Sequence, residues 1–429
     1  MNKKVEFLIV WAGQAVSLLG SQMSSFALGI WLYQRTGLAS NFAFVALCTV
    51  LPQMLLSPLV GNWIDRFNRR KLMALADSGS ALCTLAMTLL FFSGRIEPWH
   101  IFLVTILSSA FGTLQAPAYS ALVAGAIEKQ ALGRANGLLQ FGQALCQILA
   151  PAIAGVLVTM VGVAGVLFID MATFLVGIGT LLLSRLPADP PLHVDESKKQ
   201  AKRFINEMLE GINSMRNTPG LIGLLRFQTV FTFLWSLFAV MVTPMLLGFA
   251  NADGLGLTLT IAGGGLLTGS LVMTAWGGPQ RRLNGLLIFE FLSALAFVVM
   301  GLRPNLVLVA IGAFCAHFTL AFVSSLNESL WQEKTPPETL GRALALRQMM
   351  MRASTLVAYL LAGGLLDRFI DPLLMPSGIL ASSAGVIFGV GTGRGIALAC
   401  SLIGVIKIIT ALILAVPNKK NRGETSPAL

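Results

Sequence analysis

Gly61-Asn62-Trp63-Ile64-Asp65-Arg66-Phe67-Asn68-Arg69-Arg70-Lys71 is a burst of charge set between two long apolar runs, in a chain where only 11% of residues are charged. Hydrocarbon does not accept such a cluster, so the stretch is a sharp cationic turn held at a membrane surface between two helices that enter the bilayer on either side of it.

The rest of the chain agrees with that reading. With 55% apolar residues over 429 positions and a mean hydropathy of +0.78, it carries more apolar surface than one soluble core can bury. A bilayer span needs ~20 mostly apolar residues. The apolar stretches divide into twelve such segments, near 7–34, 42–62, 72–94, 101–125, 137–160, 163–184, 221–248, 256–277, 285–302, 305–328, 341–365 and 394–416. Backbone groups in lipid must find partners within the segment, so these spans are helices. The expected fold is an all-α membrane protein of twelve transmembrane helices.

A net charge of +11 in a soluble chain would suggest nucleic acid, but here the cations have a different pattern. Lys3, Lys4, Arg66 to Lys71, Lys129, Arg134, Lys198 to Arg203, Arg281, Arg282, Lys334, Arg342 and Lys419 to Arg422 fall on alternate loops and the termini, while the opposite loops hold only Arg35, Arg95, Arg303, Arg368 and Arg394. The positive-inside rule places the rich side, with both termini, in the cytoplasm. Nucleic acid is therefore not an expected partner; membrane lipid is. Trp31, Trp63, Trp99, Trp276 and Trp331 fall at span ends, where an indole ring favours the headgroups. The first apolar stretch is too long for a signal peptide and is read as the first span.

Catalytic chemistry finds no support. His100, His193 and His317 are scattered, and Cys48, Cys83, Cys146, Cys315 and Cys400 lack the paired spacing of a metal site or disulfide framework. Gly391-Thr392-Gly393-Arg394-Gly395 is not a phosphate loop, because no strand precedes it and no lysine follows in place. The chain is expected to be no enzyme and to need neither metal nor cofactor.

Leu186-Pro187-Ala188-Asp189-Pro190-Pro191 opens the longest polar stretch and divides the chain into a six-helix half at 1–185, a linker at 186–220, a second half at 221–417 and a tail at 418–429. In the linker, Phe204, Ile205, Met208, Ile212 and Met215 recur at helical spacing, the pattern of an amphipathic surface helix. Ala131-Leu132-Gly133-Arg134-Ala135 and Thr339-Leu340-Gly341-Arg342-Ala343 align at an offset of 208, which also superposes Gln140 on Gln348 and Gly155 on Gly363. The match supports two related six-helix halves.

The cationic turn resembles the loop 2–3 signature of the major facilitator superfamily. Pro117-Ala118-Tyr119-Ser120-Ala121-Leu122, Gly133-Arg134-Ala135-Asn136-Gly137, Phe168-Ile169-Asp170-Met171-Ala172-Thr173-Phe174-Leu175 and Thr335-Pro336-Pro337 before Gly341-Arg342 resemble its twelve-span drug:proton antiporter group, which includes bacterial macrolide-efflux proteins. The glycine-rich segment from Gly385 to Gly395 is similar to members found beside peptide and siderophore biosynthesis systems. The resemblance implies that the two halves are parallel repeats around a central cavity, and that the chain is a bacterial inner-membrane exporter of small molecules, working as a monomer. It also implies that Gly61, Asp65, Arg66, Arg69, Arg70 and Lys71 form a conformational latch, with Gly61 allowing close helix packing. Asn68 stands where the family usually has glycine and is expected to take a left-handed backbone. Pro151 and Gly155 partly match the antiporter signature of span five, where proline can bend the helix.

Ionisable residues inside spans are costly, by ~3 kcal/mol at the bilayer centre, and so mark function. Asp77, Asp170 and Glu290 are the acids available for proton coupling; Arg352 and Lys407 are cations that either neutralise a buried acid or attract an anionic substrate group. Gln14, Ser17, Ser21 and Ser24 form a polar stripe on span one, and Asn136, Gln140, Gln143 and Gln147 form another on span five, opposite a lipid-facing Leu138. These stripes, with Gln348, are candidates to line the cavity; interhelical hydrogen bonding is the competing reading. With no nucleotide site in the sequence, uphill export would draw on an ion gradient. An uncoupled facilitator for lipid-like or other small molecules, or a membrane sensor that transports nothing, would share the same cavity.

Overall fold

The computed structural model describes residues 3–126, 132–184, 220–335 and 340–415. The linker helix expected at 204–215 and the tail lie outside the described residues. The chain is helical, with no strand among the described residues: α1 (Lys3–Thr36), α2 (Ser40–Arg66), α3 (Arg69–Phe92) and α4 (Pro98–Ala126) come first. The stretch Leu132–Leu183 breaks at Gly162, whose φ of 71° and ψ of 175° divide it into α5 (132–161) and α6 (163–183). There follow α7 (Leu221–Leu247), α8 (Ala252–Trp276), α9 (Arg282–Leu302), α10 (Leu306–Lys334), α11 (Leu340–Leu365) and α12 (Arg394–Ala415). A π turn at Leu366–Ile370, a 3-10 turn at Asp371–Leu374 and one helical turn at Gly385–Phe388 join α11 to α12.

Among the described residues, ten stretches are long and apolar enough to cross a bilayer; one is Phe141–Leu183, which contains the Gly162 break, and Ser40–Leu56 is a shorter apolar helix. The chain is a multi-pass membrane protein. Three asparagines start helices as N-caps: Asn68 accepts from Lys71 N at 3.2 Å, Asn251 from Gly254 N at 2.9 Å, and Asn305 from Val307 N at 2.9 Å. The left-handed backbone expected at Asn68 is therefore not what the turn uses. Its φ is −59°, and its side chain satisfies an orphan N–H instead. Trp331 also departs from expectation: it is wholly buried and donates from Nε1 to Gln228 Oε1 at 2.9 Å, because a glutamine on α7 satisfies its one donor inside the helix bundle.

Helices α1 to α6 pack into one half and α7 to α12 into the other, and the halves meet chiefly where α5 crosses α8 and α2 crosses α11. The α5–α8 crossing is backbone against backbone. A Cβ on Gly155 would stand 2.9 Å from Ala252 O, and one on Gly256 would stand 2.5 Å from Pro151 O, so only glycine fits at either place. Pro151 and Gly155, expected to bend α5, thus lie at the seam between the halves. Thr260 Oγ1 reaches across to donate to Ile148 O at 3.2 Å. At the α2–α11 crossing, Asp367 accepts from the N–H groups of Ala39 and Ser40, both at 2.8 Å, and so caps the start of α2 from the opposite half.

These contacts gather at the helix ends remote from the cationic loops. The one hydrophobic cluster shared by both halves lies there too, joining Ile30, Ala39 and Ala43 to Phe238, Met241 and Leu366. At the cationic end the clusters stay within single halves, and no hydrogen bond or ion pair joins the halves there among the described residues. Among the described residues, the contacts between the halves gather at one end of the molecule, away from Arg69 to Lys71.

Candidate functional site

The polar stripe of α1 points into the first half. Gln14 donates from Nε2 to Asp77 Oδ2 at 2.9 Å, and Gln115 of α4 donates to Asp77 Oδ1 at 2.6 Å and to Gln14 Oε1 at 2.8 Å. Asp77 is 2% exposed, and among the described residues two amides and no cation hold its carboxyl group inside the helix bundle. Neutral amide donors offset only part of the cost of burying a charge. One turn or more deeper along α1, Ser17, Ser21 and Ser24 line a cavity of about 260 Å³ with Thr84 of α3 and Asp170 of α6.

The second half holds a different arrangement at the same depth. Asp77 is the ninth residue of α3 and Glu290 the ninth of α9. Glu290 Oε2 lies 2.8 Å from Lys407 Nζ, which also donates to Ser293 Oγ at 3.0 Å and sits 4.5 Å from the centroid of the Phe297 ring. Both charged side chains are buried, and the pair is what makes either tolerable there. Lys407 thus has a buried acid as its partner, one of the two roles open to it, and also lies on a cavity wall. The pair forms part of the wall of a cavity of about 630 Å³, with Phe231 and Trp235 as apolar walls and Asn327 Oδ1 buried without a partner. Arg347 closes one side, paired with Glu328 at 2.8 Å and lying over the Trp331 ring.

Gln143 and Gln147 are exposed on α5; nothing is described for the side chains of Asn136 and Gln140. Gln348 and Arg352 are exposed on α11 and share a helical face with Gly363, where an added Cβ would stand 3.4 Å from the Phe44 ring of α2, so that this face is the one turned toward the other half. Leu138 is not lipid-facing: it is half-buried beside Phe7 and Val123, and its carbonyl accepts from Trp11 Nε1 at 2.9 Å. The indole needs an acceptor inside the bundle, and the α5 backbone at Leu138 supplies it.

Of the expected latch residues, the side chains of Gly61, Asp65 and Arg66 lie outside those described. Arg69 donates from Nη1 to Ala121 O at 3.0 Å, and Arg70 donates to Leu182 O. Two guanidinium groups thereby meet the carbonyl ends of α4 and α6, where a helix dipole favours cations. These bonds stay within one half.

A helical chain of two halves, closed at one end, with buried charge in each half, has the architecture of a secondary transporter. The sequence model of the Major Facilitator Superfamily matches residues 10–359. The chain belongs to the Major Facilitator Superfamily. It is a transporter, in line with the resemblance read from the loop 2–3 motif. Macrolide efflux protein A of Streptococcus pyogenes is 26% identical over 371 residues, covering 86% of this chain and 91% of that protein. Multidrug efflux pump Tap of Mycobacterium bovis (strain BCG / Pasteur 1173P2) is 25% identical over 383 residues, covering 85% and 88%. Among solved structures, a bacterial homologue of the human lysosomal transporter Spinster, in an inward-facing and unoccupied conformation, superposes with a TM-score of 0.67 at 11% identity and covers 96% of both chains. The POT family transporter PepTSo superposes with a TM-score of 0.68 at 12% identity, covering 96% of this chain and 97% of that one. At such identities the superposition speaks for the fold alone.

Several site residues escaped the sequence reading. Gln115, Thr84, Gln228 and Asn327 are neutral polar residues in apolar helices, a class whose single members carry no periodic signal. Gln115 stands two residues before Pro117, inside a motif already singled out, and was legible there as an amide buried at mid-span. Asp367 falls just beyond the eleventh expected span, and only the fold brings it to α2.

Proposed function

We propose that this superfamily member exports amphipathic small molecules of the drug, macrolide or natural-product class by alternating access, driven by proton antiport, with Asp77 as the proton-carrying carboxyl group. Its twelve helices would all span a bacterial inner membrane, both termini in the cytoplasm, and the chain would act as a monomer. The observation that carries the reading is the contrast between two acids at one depth. Glu290 is neutralised by Lys407 at 2.8 Å, whereas Asp77 has only the amides of Gln14 and Gln115. A group paired permanently with a cation has little reason to release and rebind a proton. One held by neutral donors changes protonation as its access to water alternates. Two efflux proteins among its relatives support export of this substrate class.

The larger cavity fits an amphipathic cargo, since Phe231 and Trp235 offer apolar faces while Asn327 and Lys407 offer polar atoms. The exposed Gln143, Gln147, Gln348 and Arg352 would line the route between the halves. Cargo enters at the unjoined cationic end, which the charge asymmetry assigns to the cytoplasm. Gly61, Asp65 and Arg66 would join the halves at that end when the other opens.

The test is uptake of a labelled macrolide and a panel of other amphipathic drugs into inside-out vesicles with an imposed pH gradient. Accumulation that stops when the gradient is collapsed is expected. Transport that persists without it, or that follows sodium, would overturn the antiport reading in favour of an uncoupled facilitator or a sodium-driven one.

A further inference from the structure

We propose that Asp170 is the centre of a binding site for one monovalent alkali cation, sodium in size, held by six oxygens from α1, α3 and α6. Asp170 is 1% exposed and has no cationic partner among the described residues. Around its carboxylate stand Thr84 Oγ1 at 3.3 Å from Oδ2, and Ser21 Oγ at 3.4 Å and Thr173 Oγ1 at 3.5 Å from Oδ1. Ser24 Oγ lines the same cavity, buried and without a hydrogen-bond partner.

Two features of these contacts ask for a cation. The first is where the hydroxyl protons go. Thr173 Oγ1 donates to Asp170 O at 2.7 Å, and Ser21 Oγ donates to Ser17 O at 3.1 Å. A hydroxyl has one proton. Each hydroxyl can reach either the carbonyl or Asp170 Oδ1 and lies closer to the carbonyl; with the proton there, both oxygens turn lone pairs toward an anionic oxygen, a repulsion that positive charge between them relieves.

The second is distance. A hydroxyl bonded to a carboxylate ordinarily closes to about 2.5–2.7 Å. Oxygens sharing a hard cation at about 2.3–2.6 Å, at right angles around it, are instead about 3.3–3.7 Å apart. The contacts at 3.3, 3.4 and 3.5 Å fall in that interval. The two carboxylate oxygens with Ser21, Ser24, Thr84 and Thr173 make a six-oxygen set, and a single carboxylate balances a single positive charge. The cavity of about 260 Å³ that Asp170, Ser21, Ser24 and Thr84 line also reaches the exposed Ser25.

All the ligands belong to helices of one half, so the ion moves with that half and is a resident of it, bracing α1 against α3 and α6. It is separate from the proton carried at Asp77 and does not depend on that reading.

The experiment is thermal unfolding of the purified full-length protein in detergent, at constant ionic strength and mildly alkaline pH, with choline chloride replaced stepwise by sodium chloride or potassium chloride. A ligand that binds only the folded state raises the midpoint, here by ~2–8 °C over the range ~0–100 mM sodium. Asp170→Asn should abolish the response. Ser24→Ala and Thr84→Val, which leave the carboxylate in place, should raise the half-effect concentration by about tenfold. A midpoint that does not respond to sodium, that responds equally to potassium, or that responds identically in Asp170→Asn overturns the proposal. If Asp170→Asn does not fold, an unchanged half-effect concentration in both hydroxyl variants overturns it. No transport is measured, so failure here leaves the antiport reading standing, and failure of the pH-gradient experiment leaves the cation site standing.

Discussion

Asp77 and Glu290 show how one residue position, repeated in two halves, comes to do different work. Each is the ninth residue of its helix, and each is buried. The partners differ: Glu290 is paired with Lys407, while Asp77 meets the amides of Gln14 and Gln115. Asp77→Asn keeps the shape and the capacity to accept from an amide, and is expected to abolish gradient-driven uptake while leaving the melting midpoint within a few degrees of the parent. Concentrative uptake at the parent rate would rule Asp77 out. For the other acid the expectation is structural. Lys407→Met strands Glu290 in the bundle and should cost about 3–5 kcal/mol of stability, because an unpaired buried charge remains. Joining it with Glu290→Met should restore most of the loss. Thermal unfolding of both variants measures this, and a double variant no more stable than the single one would refute the pairing as the cause.

At the scale of elements, the seam between the halves rests on two devices with different physics. The α5–α8 crossing is steric: Gly256 meets the Pro151 carbonyl with no room for a side chain. Gly256→Val is expected to hold that end apart, so that substrate binds and transport stops. Vesicles that transport normally with this substitution would show the crossing is not needed. The α2–α11 crossing is electrostatic, since Asp367 caps an α2 N-terminus that has no side-chain cap of its own. A cap is worth about 0.5–2 kcal/mol. Asp367→Ala should therefore move the balance toward the state open at that end by about twofold to thirtyfold. Spin-label distances between cysteines at Leu38 and Ile379, both exposed loop residues on opposite halves, would report it. An unaltered distance distribution would mean the cap is replaced by water at no cost.

For the whole molecule, the gathering of the described contacts between the halves at one end sets which surfaces water is expected to reach. A cysteine at Gln147 or Arg352, in a background without the five native cysteines, is expected to react with a charged thiol reagent from the cationic face and to resist it from the other. Reaction from neither face would place both residues against lipid or protein and remove them from the route. The guanidinium groups of Arg69 and Arg70 bond within their own half, to backbone carbonyls of α4 and α6.

The sequence by itself determined the class and the chemistry available. Hydropathy and charge act over a single turn or span, so the helices, the cationic turn after α2, the superfamily and the buried acids Asp77, Asp170 and Glu290 were all legible without coordinates. What it left open was partnership. Lys407 could have answered any acid or a substrate, Pro151 and Gly155 gave no sign of lying at the seam between the halves, and Trp331 read as a headgroup anchor where it is buried against Gln228. Only the tertiary structure decided these, because a partner depends on how each helix is rotated about its own axis and on which helix lies beside it. Gln14, Asp77 and Gln115 sit on three helices 63 and 38 residues apart, and no local pattern records that their faces converge.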